Sequence, residues 1–187
     1  DTRTRHLLQA LARGSRPARL VYASTTGVYG DCRGARFDET RPVNPATDRA
    51  KRRVDAEAQL RQASLNLGIA CSVLRIPGIY ATDREGGHPR DRVARGAPVL
   101  LAKQDVYTNH VHAEDLARAC VAALFRGARQ RCYHVTDDSD SKMGDHFDAV
   151  ADFYGLQRPP RRSSAELAQQ LSPMQLSFMG ESRRLIN

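Results

Sequence analysis

The stretch Leu20-Val-Tyr-Ala-Ser-Thr-Thr-Gly-Val-Tyr-Gly-Asp31 starts apolar and ends in hydroxyls and glycines. Leu20, Val21, Tyr22 and Ala23 read as a buried strand, and Ser24, Thr25 and Thr26 place hydroxyls where it stops. Gly27 then turns the chain into Val28, Tyr29, Gly30 and Asp31. An apolar run that gives way to small polar residues reads as the carboxyl edge of a parallel sheet, where open α/β folds bind their ligands.

Working outward, Leu7, Leu8, Leu11 and Ala12 fall at helical spacing and predict a helix over 3–13, closed by Gly14 to Pro17. The first strand covers 18–24. A charged, glycine-containing loop follows and ends in Phe37-Asp-Glu-Thr-Arg-Pro42. The next helix is expected over 46–67, with Thr47 as its N-cap and Gly68 as its stop. Ile69 to Ile76 is the second strand, ended by Pro77-Gly78, and Ile79-Tyr80 carries the chain over the sheet mouth. A polar segment, 83–89, leads to a short helix over 89–95. Short extended pieces are expected at 99–101 and 105–111, a helix from His112 to Phe125, and a strand over 131–136. Beyond it the pattern predicts helices over 141–154, 165–171 and 174–185, with a basic connector at 158–162. Strands alternate with helices through residue 136, which predicts an α/β fold with a mainly parallel sheet over 1–136. A mostly helical lobe is expected over 137–187.

The 187 residues suffice for one domain with a sizeable core. The formal charge of +8 comes almost entirely from arginine, but the arginines are scattered and no aromatic-interleaved basic motif appears. This argues against a nucleic-acid partner. No apolar run reaches the roughly 18 residues of a membrane-spanning helix, and Asp1 to Leu8 carries no signal-peptide apolar core. The four cysteines, Cys32, Cys71, Cys120 and Cys132, have neither CxxC nor metal-ligand spacing. Cys71 and Cys120, in apolar segments, read as small core residues; a reducing cytoplasm is the simplest setting, and no metal site is expected.

Four segments together resemble the NAD-dependent epimerase/dehydratase family, the extended and atypical short-chain dehydrogenase/reductases. Ser24-Thr25-Thr26-Gly27-Val28-Tyr29-Gly30 resembles its serine-rich strand end. Asp38-Glu39, Pro42 and Pro45 resemble its approach to the active-site helix, which runs on to Glu57. Leu74-Arg75-Ile76-Pro77-Gly78-Ile79-Tyr80 and Asn109-His110-Val111-His112-Ala113-Glu114-Asp115-Leu116-Ala117 resemble two further family segments. The resemblance implies a Rossmann-like sheet, NAD or NADP as cofactor, and redox, epimerase or dehydratase chemistry on a small polar substrate such as a nucleotide sugar. It also implies a homodimer packed through helices 3–13 and 46–67.

Two departures qualify the likeness. No glycine-rich G-x-x-G-x-x-G or G-x-G-x-x-G turn, which would cradle a pyrophosphate at a helix N-terminus, occurs in the sequence. The expectation is an N-terminally truncated Rossmann-like domain that leaves strand 18–24 as an exposed edge. The family also uses a Tyr-x-x-x-Lys pair, in which the lysine lowers the tyrosine pKa for proton transfer. Counting back from Glu57, Arg49 and Arg53 fall on those positions. Arginine does not exchange protons usefully near neutrality.

The resemblance therefore nominates Thr25 to hydrogen-bond a substrate oxygen and Arg53 to bond a ribose hydroxyl. Arg49 is left to bind an anion or polarise a carbonyl. Tyr29, the nearest remaining phenol, and Asp48 are alternative proton-transfer candidates; the competing readings are a packed turn aromatic and a first-turn helix-dipole partner. Ala23, Ser24, Ile76, Pro77, Gly78 and Ile79 match the backbone that borders the nicotinamide. His110 and His112 are candidates by pKa, with helix capping as the competing role. The degenerate pair also leaves open a non-catalytic NAD(P)-binding sensor.

Overall fold

Every residue of the strand Ala70–Ile76 is buried, and the fold is assembled around it. The computed structural model describes residues 1–84 and 86–187, Met174 by its backbone alone. Glu85, inside the polar segment 83–89, lies outside the described residues.

In chain order the elements are α1 (Thr2–Arg13), β1 (Arg19–Thr25), a 3-10 turn (Thr26–Tyr29), β2 (Arg36–Phe37), α2 (Asp48–Leu67), β3 (Ala70–Ile76) and β4 (Gly78–Tyr80). Then come α3 (Pro89–Ala94), β5 (Val99–Leu100), β6 (Tyr107–Thr108), β7 (His110–His112), α4 (Ala113–Arg126) and β8 (Arg131–His134). The last are β9 (Ser141–Lys142), α5 (Met143–Phe153), β10 (Arg161–Arg162), α6 (Ser164–Gln170), α7 (Pro173–Met179) and β11 (Arg184–Leu185).

The main sheet is parallel, in the order β1-β3-β8, with Ser24 beside Arg75 and Thr25 beside Ile76. Among the described residues β1 is paired on one side only. Side chains alternate across β3. Leu74 and Ile76 join Val111, Val135, Leu116, Ala119 and Cys120 in an apolar cluster under α4, whereas Arg75 turns to the opposite face and meets Glu57 of α2. This is a Rossmann-like α/β arrangement, with a parallel sheet between α2 and α4. No helix among the described residues is long and apolar enough to cross a membrane.

The helix expected over 46–67 begins at Asp48, because Thr47 stays extended and its Oγ1 accepts from the Ala50 N–H at 3.2 Å. Gly68 ends it in the left-handed region, at φ 71°.

The carboxyl end departs from expectation. A helix over 174–185 is not formed: α7 stops at Met179, and β11 pairs in parallel with β2. Hydrogen bonds to distant segments outweigh the local helical pattern. The carbonyl of Ser182 accepts from the N–H groups of Cys32 and Gly34, both at 3.1 Å. The Asn109 side chain donates to Arg183 O at 2.9 Å and accepts from Leu185 N at 3.1 Å. The basic connector likewise contains a strand, β10, parallel to β5. Residues after 136 are thus tied by β9, β10 and β11 to strands before it. Their core is built from Val93, Val99, Phe147 and Ala151, and from Leu100, Val106, Leu167 and Met179.

Candidate functional site

A cleft of about 520 Å³ opens where β1 and β3 end. Thr25, Thr26, Gly27, Pro77 and Gly78 line it from the sheet, and Thr47, Arg49 and Ala50 line it from the start of α2. Arg92 and Arg95 contribute from α3 and its end, Asn109 and His110 from the strand region before α4, and Phe178, Met179 and Arg183 from the carboxyl segment.

Thr25 is placed here because the strand stops on it. Its Oγ1 accepts from the Gly27 N–H at 3.2 Å and caps the 3-10 turn. The Arg49 guanidinium lies over the Phe178 ring, 4.6 Å from its centroid. Gly78 meets the far wall closely, since a side chain there would begin 3.2 Å from His110 Cδ2. His110 stacks on His146 with ring centroids 4.1 Å apart. Burial, and then the His146 charge, push His110 down to about 4, so it is neutral at pH 7. Its Nδ1 is buried without a partner among the described residues.

Of the residues nominated from the sequence, Thr25, Arg49, Pro77 and Gly78 line this cleft. His110, a candidate by pKa, lines it too, whereas His112 takes the competing role and caps α4; the other nominees lie outside the lining. Arg53 donates from Nη1 to the Tyr22 hydroxyl at 2.8 Å, with its guanidinium over that ring. Asp48 sits in the exposed first turn of α2 beside Lys51. Ile76 belongs to the core under α4, while Ala23 and Ile79 lie exposed outside the cleft lining.

Tyr29, a candidate for proton transfer with a packed turn aromatic as the competing reading, is 1 % exposed and packed edge-on against Phe37. Its phenol oxygen accepts from Arg75 Nη1 at 2.6 Å and bonds His134 Nε2 at 2.7 Å. Burial pushes this phenol up to about 12, against the opposing effect of Arg75.

Ser24 also turns inward and hydrogen-bonds Glu57. Glu57 binds Arg75 Nη2 at 2.7 Å, and His134 Nδ1 bonds the Ile186 carbonyl at 2.8 Å. Ser24, Glu57, Arg75, Tyr29 and His134 form one continuous polar chain between α2 and the carboxyl terminus. Burial alone would push the Arg75 guanidinium down, but the hydrogen bonds and charge of Glu57 hold it above its ordinary value. The sequence signal for this network is an arginine inside the otherwise apolar strand Leu74-Arg75-Ile76. Arg92, Arg95, Phe178 and Arg183 carry no comparable linear signal; folding alone brings them to the cleft.

Gly27, Ala50, Pro77 and Gly78, which are small or lack a side chain, line the cleft beside the Thr25 hydroxyl and are the residues against which a nicotinamide end would lie.

Comparison with known proteins adds three findings. Residues 2–136 match the family model described as the NAD dependent epimerase/dehydratase family. The chain is 26% identical to Protein YeeZ of Escherichia coli K12 over 148 residues, 79% of this chain and 50% of that one. It thus spans about half the length of this curated relative. Among solved structures, a functionally unknown conserved protein from Silicibacter pomeroyi superposes with a TM-score of 0.80 at 31% identity, covering 96% of this chain and 61% of the other. Thermus thermophilus UDP-glucose 4-epimerase, solved in complex with NAD, gives 0.70 at 26% identity, covering 92% and 61%.

Proposed function

Because this chain belongs to the NAD-dependent epimerase/dehydratase family, we propose that it binds NAD or NADP and serves redox-linked chemistry on a small polar substrate such as a nucleotide sugar. The observation that carries this reading is the shared cleft of Thr25, Arg49 and Pro77-Gly78 at the carboxyl edge of β1 and β3. When bound, a nicotinamide supplies a hydride donor or acceptor. Pro77 and Gly78 line the strand ends where it would lie, whereas Ser24 and Ile76 face away from it, onto Glu57 and into the core. The Thr25 hydroxyl orients a substrate oxygen. Arg49 binds a negative group or polarises a carbonyl, but with a pKa above about 12 it does not pass protons. Arg53, held by Tyr22, supplies positive charge without reaching the cleft. Proton transfer is therefore the weak step, and slow turnover on nucleotide sugars follows.

The same arginine substitutions favour a second reading, a non-catalytic sensor of NAD(P). Fluorescence titration with NADH and NADPH tests what the two readings share: a saturable signal with either supports it, and none with both overturns it. Turnover of a nucleotide-sugar panel separates them.

The outer face of α1 and α2 carries Leu8, Ala12, Ala58, Ala63 and Leu67 along one shallow groove. It supports a homodimer through those helices. Four free thiols suit a reducing compartment such as the cytoplasm.

A further inference from the structure

We propose that Arg92 and Arg95 form a docking site for an anionic head group, a phosphate monoester or a carboxylate, on the substrate that enters the cleft. The proposal rests on the reading of this cleft as the substrate site and extends it to the substrate's charge.

The charges around the cleft are unbalanced. Arg49, Arg92, Arg95 and Arg183 line it, and Glu181 is the one carboxylate among the described lining residues. Glu181 is already taken by Arg183, at 2.6 Å. No described carboxylate forms an ion pair with Arg49, Arg92 or Arg95. Surface arginines without partners are ordinary, but Arg92 is not at the open surface. Its guanidinium lies on the Phe147 ring, 4.7 Å from the centroid, and Nη2 donates to the Pro98 carbonyl at 3.2 Å. Its Nε is buried with no partner among the described residues. A buried guanidinium donor left unpaired is costly, and a like-charged neighbour adds repulsion.

Phe147 and Pro98 fix the guanidinium before any ligand arrives, which lowers the ordering cost of binding. An anion against Arg92 and Arg95 would neutralise both charges and accept from the Arg92 Nη1 and the Arg95 guanidinium, the Arg92 Nε being closed to solvent and Nη2 held by Pro98. Arg49, stacked on Phe178, holds a further cation in the same cleft. A volume of about 520 Å³ admits a small molecule. The charge therefore selects among small substrates.

The test uses the full chain and isothermal titration calorimetry at low ionic strength, with inorganic phosphate and acetate as probes. One saturable site is expected, weakening as salt is added. Arg95→Gln should weaken it about tenfold, the loss of a charge-assisted contact. Arg92→Lys keeps the charge and guards against misfolding; it should weaken binding while the melting curve stays cooperative. Arg129→Gln, at an exposed turn, should change nothing. Tighter phosphate assigns a phosphate ester, and tighter acetate assigns a carboxylate. Absence of saturable binding by both probes overturns the proposal, as does an equal loss in Arg129→Gln. Equal weakening of NADH and phosphate by Arg95→Gln also overturns it, because the arginines would then serve the dinucleotide. A chain that binds phosphate but neither NADH nor NADPH keeps the anion site and overturns the cofactor reading.

Discussion

Arg75 of β3 and Glu57 of α2 form an ion pair, Nη2 to Oε2 at 2.7 Å, with both side chains 6% exposed. Ser24 bonds the same carboxylate, and Arg75 also donates to Tyr29. The pair therefore joins helix, sheet and turn behind the cleft. A buried ion pair adds little over an apolar substitute, but removing one partner strands the other charge. Glu57→Ala should cost about 3–5 kcal/mol of unfolding free energy. Glu57→Gln, which still accepts hydrogen bonds, should cost less. Urea denaturation of both variants checks this; a loss below about 1 kcal/mol in Glu57→Ala would mean that water reaches Arg75.

Tyr29 predicts the alkaline limb of stability. Its phenol is pushed from 10.0 up to about 12 by burial, opposed by Arg75. The folded state thus holds the proton more tightly than the unfolded chain. The contribution is fully present below pH 10 and is lost as pH rises from 10 towards 12, on the order of 2–3 kcal/mol. Cys132, pushed up to about 11 by burial, acts in the same direction. Absorbance titration should show one tyrosine that ionises only when the protein unfolds, and Tyr29→Phe should abolish that late step.

His110 sets the acid side. Burial and His146 lower it from 6.5 to about 4, against Asp137, which favours the charged form. The unfolded chain takes up this proton first as pH falls. Stability is therefore complete above about pH 6.5 and declines between 6.5 and 4, by about 3 kcal/mol. His146, also lowered by burial, adds to the slope. Melting temperatures from pH 4 to 8 measure it. His110→Gln should flatten the profile, while an unchanged slope would assign the acid sensitivity elsewhere.

How much of this was legible depended on the range of the forces involved. β1, β3 and the limits of α2 are written locally: an apolar run beside hydroxyls, Thr47 as a cap, Gly68 as a stop. Thr25 and Pro77-Gly78 were nominated by the likeness of their segments to the family, and each sits at a strand end that is itself a local signal. The carboxyl segment was not, because Ser182, Arg183 and Leu185 are positioned by Asp31, Cys32, Gly34 and Asn109, far away in sequence. β5 falls within the extended piece expected at 99–101, but its partner β10 is two residues inside a basic connector, too short to show a period. The choice between the two readings of Tyr29 was open for a related reason. The side chain's direction is set by Arg75 and His134, on strands it meets only after folding.

Gly30 is required by its turn. It sits at φ 63° and ψ −155°, a region almost confined to glycine. A Cβ would fall 2.4 Å from the Asn44 carbonyl oxygen, a backbone atom that cannot swing aside. Asn44 N–H is itself bound to Val28 O at 2.9 Å. Gly30→Ala should destabilise by about 1–3 kcal/mol and loosen the wall that carries Thr25. Chemical denaturation with NADH titration of the same variant measures both. Wild-type stability would show that the turn relaxes freely.

The decisive variant for the chemistry is Arg49→Tyr combined with Arg53→Lys. Arg49 lines the cleft and stacks on Phe178, whereas Arg53 lies on Tyr22. Tyrosine at 49 would bring a phenol to the cleft beside Thr25, and a lysine ammonium one helical turn on would favour its ionised form. Wild type is expected to show slow or no turnover on nucleotide sugars, and the double variant at least about tenfold more, the lower range for a positioned acid–base group being about a hundredfold. NADH affinity should change little, since neither position forms the cleft floor. Brisk wild-type turnover that the double substitution abolishes would instead make Arg49 and Arg53 working parts of a different mechanism, and the proton would have to pass through another cleft residue.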